Sequence, residues 1–179
     1  MNANRIQLLV PLAALYLAGG CAGEVPAGKR ASAKLESRAN STVTGMAAFS
    51  ESGDKVALSL TVSGAAPGMH AAHLHLTPDC GVGTAADANT AMGHWNPDMM
   101  NHGLPSAAPH HLGDLGNFTV GTDGTGTLTF MGDWSIGTGG TDDIVDHAII
   151  VHASPDDGMT QMPPGNAGAR VACGVVAMQ

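Results

Sequence analysis

The sequence predicts an all-β domain, an antiparallel sandwich or barrel of short strands. Period-two alternation recurs along it, most clearly over Lys55–Ser63, where Val56, Leu58, Leu60 and Val62 interleave with Lys55, Ala57, Ser59 and Thr61. The 25 Gly and 10 Pro cluster between such runs as turn signals. Aromatic residues make up only 3% of a chain that is 44% hydrophobic, which suits close packing of small aliphatic side chains in a sheet. No stretch has a convincing helical period, repeat or heptad.

Taken in order, residues 1–20 read as an export signal. Arg5 precedes the apolar run Ile6–Ala18, which falls short of the ~20 residues needed to span a bilayer, and Gly19 and Gly20 follow. Leu17-Ala18-Gly19-Gly20-Cys21 resembles a bacterial lipoprotein signal with the Leu one place early, so Cys21 is a candidate for lipidation; ordinary cleavage nearby is the alternative. Residues 21–28 form a tether, and 29–179 the domain. Short strands are expected over Ala31–Ser37, Thr42–Ser50, Lys55–Ser63, Met69–Leu76, Thr125–Phe130, Ala148–Ala153 and Val171–Ala177, with a hairpin turn at Gly53-Asp54. Residues 77–113 are too long for a structureless loop, so something must order them.

The net charge of -8 excludes nucleic acid or an anionic membrane surface as a partner, since both require a basic face. The chain would meet a membrane only through an acyl group at Cys21. After Lys55 the only Lys or Arg is Arg170, so an anion entering this part of the domain finds a single cation. Three cysteines are an odd number. If Cys21 is lipidated, Cys80 and Cys173 remain as one candidate pair in an oxidising compartment, either bridged or as two buried thiols.

All nine histidines follow the third candidate strand. His73 and His75 are two apart on one strand and therefore share a face, with Leu74 and Leu76 expected toward the core. A pair held on a rigid strand begins a metal site, although His-x-His alone is weak. His94, His102, His111 and Asp114 supply three imidazoles and a carboxylate, a closed tetrahedral zinc set whose binding could order the long loop. His152 ends the apolar strand Ala148-Ile149-Ile150-Val151 and is either a core residue or a ligand.

Gly68-Met69-His70-Ala71-Ala72-His73-Leu74-His75, Gly93-His94-Trp95-Asn96-Pro97, His102-Gly103-Leu104-Pro105 and His111-Leu112-Gly113-Asp114-Leu115-Gly116-Asn117 together resemble the metal-binding half of copper–zinc superoxide dismutases of the exported bacterial type. Ile150-Val151-His152 and Gly165-Asn166-Ala167-Gly168-Ala169-Arg170-Val171-Ala172-Cys173-Gly174 resemble the family's closing segments, so the likeness spans residues 28–179. It implies an eight-stranded antiparallel Greek-key barrel or sandwich with long metal-binding and active-site loops. It implies copper on His73, His75, His94 and His152, and zinc on His94, His102, His111 and Asp114, with His94 shared. Asp156 would orient one His of each site, Cys80 and Cys173 would be bridged, and Arg170 would draw superoxide toward copper. His70 would be structural, and His110 and His147 surface or loop residues.

The implied activity is dismutation of superoxide to oxygen and hydrogen peroxide, with His94 delivering a proton. The implied location is the periplasm or outer cell envelope. A homodimer is compatible with the resemblance, whose bacterial members include dimers and monomers. The loop 154–164 departs from many members in lacking a Lys and carrying Asp156, Asp157, Met159 and Met162. These methionines, with Met92, Met99 and Met100, raise the alternative of a copper carrier, because thioethers favour Cu(I); the simpler expectation is that they fill loop gaps in a chain poor in aromatics. The full zinc set and Arg170 favour the enzyme.

Overall fold

A computed structural model describes residues 28–84 and 86–179. The export signal, Cys21 and nearly all of the tether lie outside the described residues.

Alternation turns into strand wherever it occurs. The strands are β1 (Arg30–Ser37), β2 (Thr44–Ser52), β3 (Lys55–Ser63), β4 (Gly68–His75), β5 (Asp114–Val120), β6 (Gly126–Gly132), β7 (Ala148–His152), β8 (Arg170–Val175) and the two-residue β9 (Ala177–Met178). A single 3-10 turn spans Asn89–Ala91. Eight antiparallel strands close into a ring in the order β1-β2-β3-β6-β5-β4-β7-β8, with β8 pairing back to β1 and β9 lengthening that seam. The links β3→β4 and β6→β7 each pass over two strands of the ring, which makes the barrel a Greek key.

Period-two burial fills the interior. Ala31, Ala33 and Leu35 of β1, Ala47 and Phe49 of β2, all four aliphatics of β3, Ala72 and Leu74 of β4, and Ile149 and Val151 of β7 meet there around Trp95, Trp134 and Phe118. The alternate residues Ala71, His73 and His75 of β4 and Ala148, Ile150 and His152 of β7 point outward, yet they too are buried, because the connections 76–113 and 153–169 fold over that wall. Cys80, Ala88 and Ala91 of the first connection pack on Ala148, Ile150 and Cys173 as a second, small core. The Cys80–Cys173 disulfide fastens it. Its sequence separation of 93 corresponds to about 4–5 kcal/mol of loop-closure stabilisation.

Three expectations need correction. Leu76 is exposed, because β4 ends at His75 and the chain turns away before the next inward position. β5 was not expected: Gly116, at φ +82°, interrupts the alternation, so the inward residues change from Leu115 to Phe118 and Val120 across it. The loop methionines fill no gaps: like the four on strands, all of them are exposed.

The crossover β6→β7 is ordered by one buried carboxylate. Asp143 accepts the backbone N–H groups of Gly137, Thr138, Gly139 and Val145 at 2.7–3.0 Å. Burial alone would raise its pKa, but these four donors outweigh it and hold the carboxyl below its ordinary value. A folded-state pKa below the unfolded one gives stability that is present above about pH 4 and is lost as pH falls through the folded value. Asp143→Ala is therefore expected to cost on the order of 2–3 kcal/mol in urea unfolding at pH 7, with the gap to the parent chain narrowing by pH 3. An equal gap at both pH values would contradict this role.

Candidate metal centre

The outward face of β4 supplies His73 and His75, and the end of β7 supplies His152 at a register shift after Val151. His94 joins them through a short backbone web. Trp95 N–H donates to Leu74 O, Gly113 N–H to Trp95 O, and Leu74 N–H to Gly113 O, all at 2.8–2.9 Å. This extends β4 sideways and sets His94 and Asp114 against it. Gly113 has to be glycine, since a Cβ there would run into Leu74 O and the Trp95 backbone.

Two clusters result. In each, the four ligand atoms lie within 4.8 Å of one another: His73, His75, His94 and His152 in the first, His94, His102, His111 and Asp114 in the second. His94 belongs to both. Its ring stacks on His73 with centroids 3.9 Å apart, and Nδ1 lies 2.8 Å from Asp114 Oδ1.

The free valences decide what these clusters can do. Five buried ring nitrogens make no hydrogen bond: His73 Nδ1, His75 Nε2, His102 Nδ1, His111 Nδ1 and His152 Nε2, those of His102 and His111 lying 3.0 and 3.4 Å from Asp114 oxygens outside hydrogen-bond geometry. In four of these rings the other nitrogen is already committed as a donor. His73 Nε2 and His102 Nε2 donate to Asp156 at 2.7 and 3.0 Å, His75 Nδ1 to Met92 O at 2.9 Å, and His152 Nδ1 to Gly168 O at 3.3 Å. A neutral imidazole that donates from one nitrogen carries a lone pair on the other. The lone pairs of His73, His75 and His152 therefore face the first cluster and that of His102 the second, which is the donor pattern of a metal site.

Protonation follows from the surroundings. Burial pushes His94 down to about 4, aided by His73 and His102 and resisted by Asp114. Burial likewise drives His75 and His152 well below the ordinary imidazole range. Asp114 is raised by burial, but His111, whose backbone N–H donates to it, and the His94 ring outweigh this and hold it well below the carboxylate range. The same holds for Asp156 with His73 and His102. Neutral imidazoles beside ionised carboxylates are the forms that bind a cation.

Asp156 thus spans both clusters from behind. Gly165, at φ +70°, lets it do so, because a Cβ there would lie 2.6 Å from the carboxylate. Two carboxamides lacked any sequence signal. Asn117 accepts Asp156 N–H at 2.7 Å and donates to Asp156 O at 2.9 Å; Gln161 accepts His102 N–H at 2.9 Å and donates to His102 O at 3.1 Å. Each clamps a backbone whose side chain serves the site. His70 touches neither cluster: both its nitrogens face carbonyls, His152 O and Ala66 O, at 2.8 Å. His110 is a loop residue outside the clusters, its Nδ1 against His111 O. His147 is also a loop residue, half-buried and stacked on Trp95 at 4.3 Å with Nδ1 against His75 O.

A cavity of about 450 Å³ opens on the first cluster, lined by His75, His94, His152, Asp87 and Arg170 among others. Arg170 is half-buried there and donates to Ala88 O and Met92 O, both at 2.7 Å. Burial lowers its pKa, with Asp87 opposing. A larger depression of about 740 Å³ on the β2–β3–β6 wall has neither histidine nor carboxylate in its lining.

The family profile described as copper/zinc superoxide dismutase (SODC) matches residues 43–176. Superoxide dismutase (Cu-Zn) 2 of Brassica juncea is 41% identical over 143 residues, covering 76% of this chain and 91% of that protein. A crystal structure of the clock protein EA4 is similar with a TM-score of 0.73 at 28% identity, covering 87% of this chain and 98% of that one. The chain belongs to the copper/zinc superoxide dismutase family, and it is an oxidoreductase that uses copper and zinc to convert superoxide into oxygen and hydrogen peroxide.

Proposed function

We propose that the reaction runs at the two adjoining clusters, with copper held by His73, His75, His94 and His152 and zinc by His94, His102, His111 and Asp114. The observation that carries this reading is the set of five partnerless ring nitrogens. The first cluster is all imidazole and opens on the cavity, whereas the second adds a carboxylate and is closed, as suits copper and zinc respectively. When bound, copper supplies the one-electron redox change and zinc a fixed positive charge that orients the shared imidazole.

The remaining work falls to the chain. Two superoxide anions and two protons become one oxygen and one hydrogen peroxide. Arg170, its Nη1 and Nη2 fixed by two carbonyls, attracts the anion into the cavity and positions it. His94 keeps Nδ1 toward Asp114, leaving Nε2 as the atom that offers a proton to departing peroxide. Asp156 holds His73 and His102 in one tautomer and one orientation. The Cys80–Cys173 bridge supports all of this, since the carbonyl that anchors Arg170 Nη1 belongs to Ala88 of the small core it fastens.

The chain is exported and anchored by an acyl group on Cys21 in the periplasm or outer envelope. Support comes from the segment at 1–20 and from the disulfide, which favours an oxidising compartment. Among the described residues no helix is long and apolar enough to cross a membrane.

Two outcomes follow. The copper- and zinc-loaded protein consumes superoxide rapidly; His152→Ala abolishes copper-dependent turnover, and Arg170→Ala lowers kcat/KM by about 10–100-fold while flattening its dependence on salt. Tight copper binding without turnover would leave a copper carrier as the better reading. In a bacterial host, the parent chain partitions with membranes and Cys21→Ser shifts it to the soluble exported fraction; equal partitioning of the two would rule out the anchor.

A further inference from the structure

Nine of the ten methionines lie among the described residues, and every one is exposed, from 45% for Met46 to 88% for Met99 and Met162. The buried set contains none; its hydrophobic members are Ala, Val, Leu, Ile, Phe, Trp and Cys. This reverses the usual place of methionine, a flexible side chain that fills irregular gaps in cores. Met46, Met69, Met131 and Met178 stand on β2, β4, β6 and β9. Met92, Met99 and Met100 lie on the connection that carries His94 and His102, and Met159 and Met162 on the one that carries Asp156.

We infer that these methionines form a sacrificial oxidation layer that takes up hydrogen peroxide, the product of the enzyme's own reaction, without disturbing the fold. The step is a two-electron oxygen transfer. The thioether sulfur attacks one peroxide oxygen, an S–O bond forms as the O–O bond breaks, and the other oxygen leaves as water with both protons. Sulfur is oxidised to the sulfoxide and peroxide is reduced, so no further reagent is required. A sulfoxide is polar and disrupts a core, but at an exposed position it is solvated. Reductases specific for each sulfoxide epimer reverse it.

Position and capacity define the role. A Cu(I) site needs several thioethers converging on one point, whereas these are spread over four strands and two connections. Nine oxygen atoms per chain is a capacity exhausted after nine product molecules, so the layer protects the chain and not its surroundings. Met92 and Met162 directly precede Gly93 and Pro163, which line the cavity through which product leaves.

The test is peptide mapping of the copper- and zinc-loaded protein during exposure to hydrogen peroxide, native and in denaturant. All nine methionines should gain one oxygen, each at a native rate within about threefold of its denatured rate, since exposed groups lack folding protection. The melting temperature should move by less than about 3 °C once all nine are oxidised. A methionine protected about tenfold or more in the native protein, or a fall of about 10 °C, would overturn the inference. So would tight binding of silver(I), a redox-inert thioether ligand, that blocks oxidation of a subset. Replacing Met46, Met131 and Met162 by Leu should leave turnover intact, lower the uptake by three oxygens and shorten the active lifetime under peroxide; an unchanged lifetime would also refute it.

Discussion

A buried hydrogen-bonding atom left without a partner costs about 1–3 kcal/mol, and the wall of this barrel buries five such ring nitrogens within two adjoining clusters. The rest of the architecture makes sense as the means of tolerating that debt. In four of the five rings the other nitrogen is held by an oxygen, which fixes the tautomer and aims the free lone pair. A cation at each convergence point converts the unpaired lone pairs from a cost into binding energy, and in a site absent from the unfolded chain that energy stabilises the fold.

Rigid and irregular backbone share the task. Strand periodicity sets the spacing of His73 and His75 and places His152 beside them from the neighbouring strand. The rings of His94, His102 and His111 come from a long connection, which could not hold them alone. It is tied at three places: by the disulfide at Cys80, by the web through Leu74, Trp95 and Gly113, and by the Gln161 clamp on His102. Asp156 then locks the second connection to both clusters at once. Arg170 belongs to the same lattice, since the Met92 carbonyl that receives its Nη2 also receives His75 Nδ1.

Much of this was legible in the sequence because it depends on local spacing. Period-two runs mark most strands, and a His-x-His pair on one of them marks the start of the site. What stayed hidden depends on irregularity or on long-range contact. β5 escaped because Gly116 at φ +82° shifts the inward parity midway along it, so the pattern reads as neither strand nor helix. Leu76 looked inward only because the alternation was carried one residue past the strand's end. His147 finds Trp95 far away in sequence, and Asn117 and Gln161 act through backbone hydrogen bonds that leave no residue pattern. The loop methionines looked like gap-fillers because residue type predicts average burial, and here the connections pack without them.

The central claim is that two metal ions sharing His94 complete this wall. Titration of the metal-free protein with zinc and then copper, followed by unfolding at each step, tests it most directly. The account predicts two ions bound per chain, each raising stability, by about 4 kcal/mol where the free ion stands a thousandfold above its dissociation constant. Saturation at one ion per chain, or two ions bound with no change in unfolding, would contradict it.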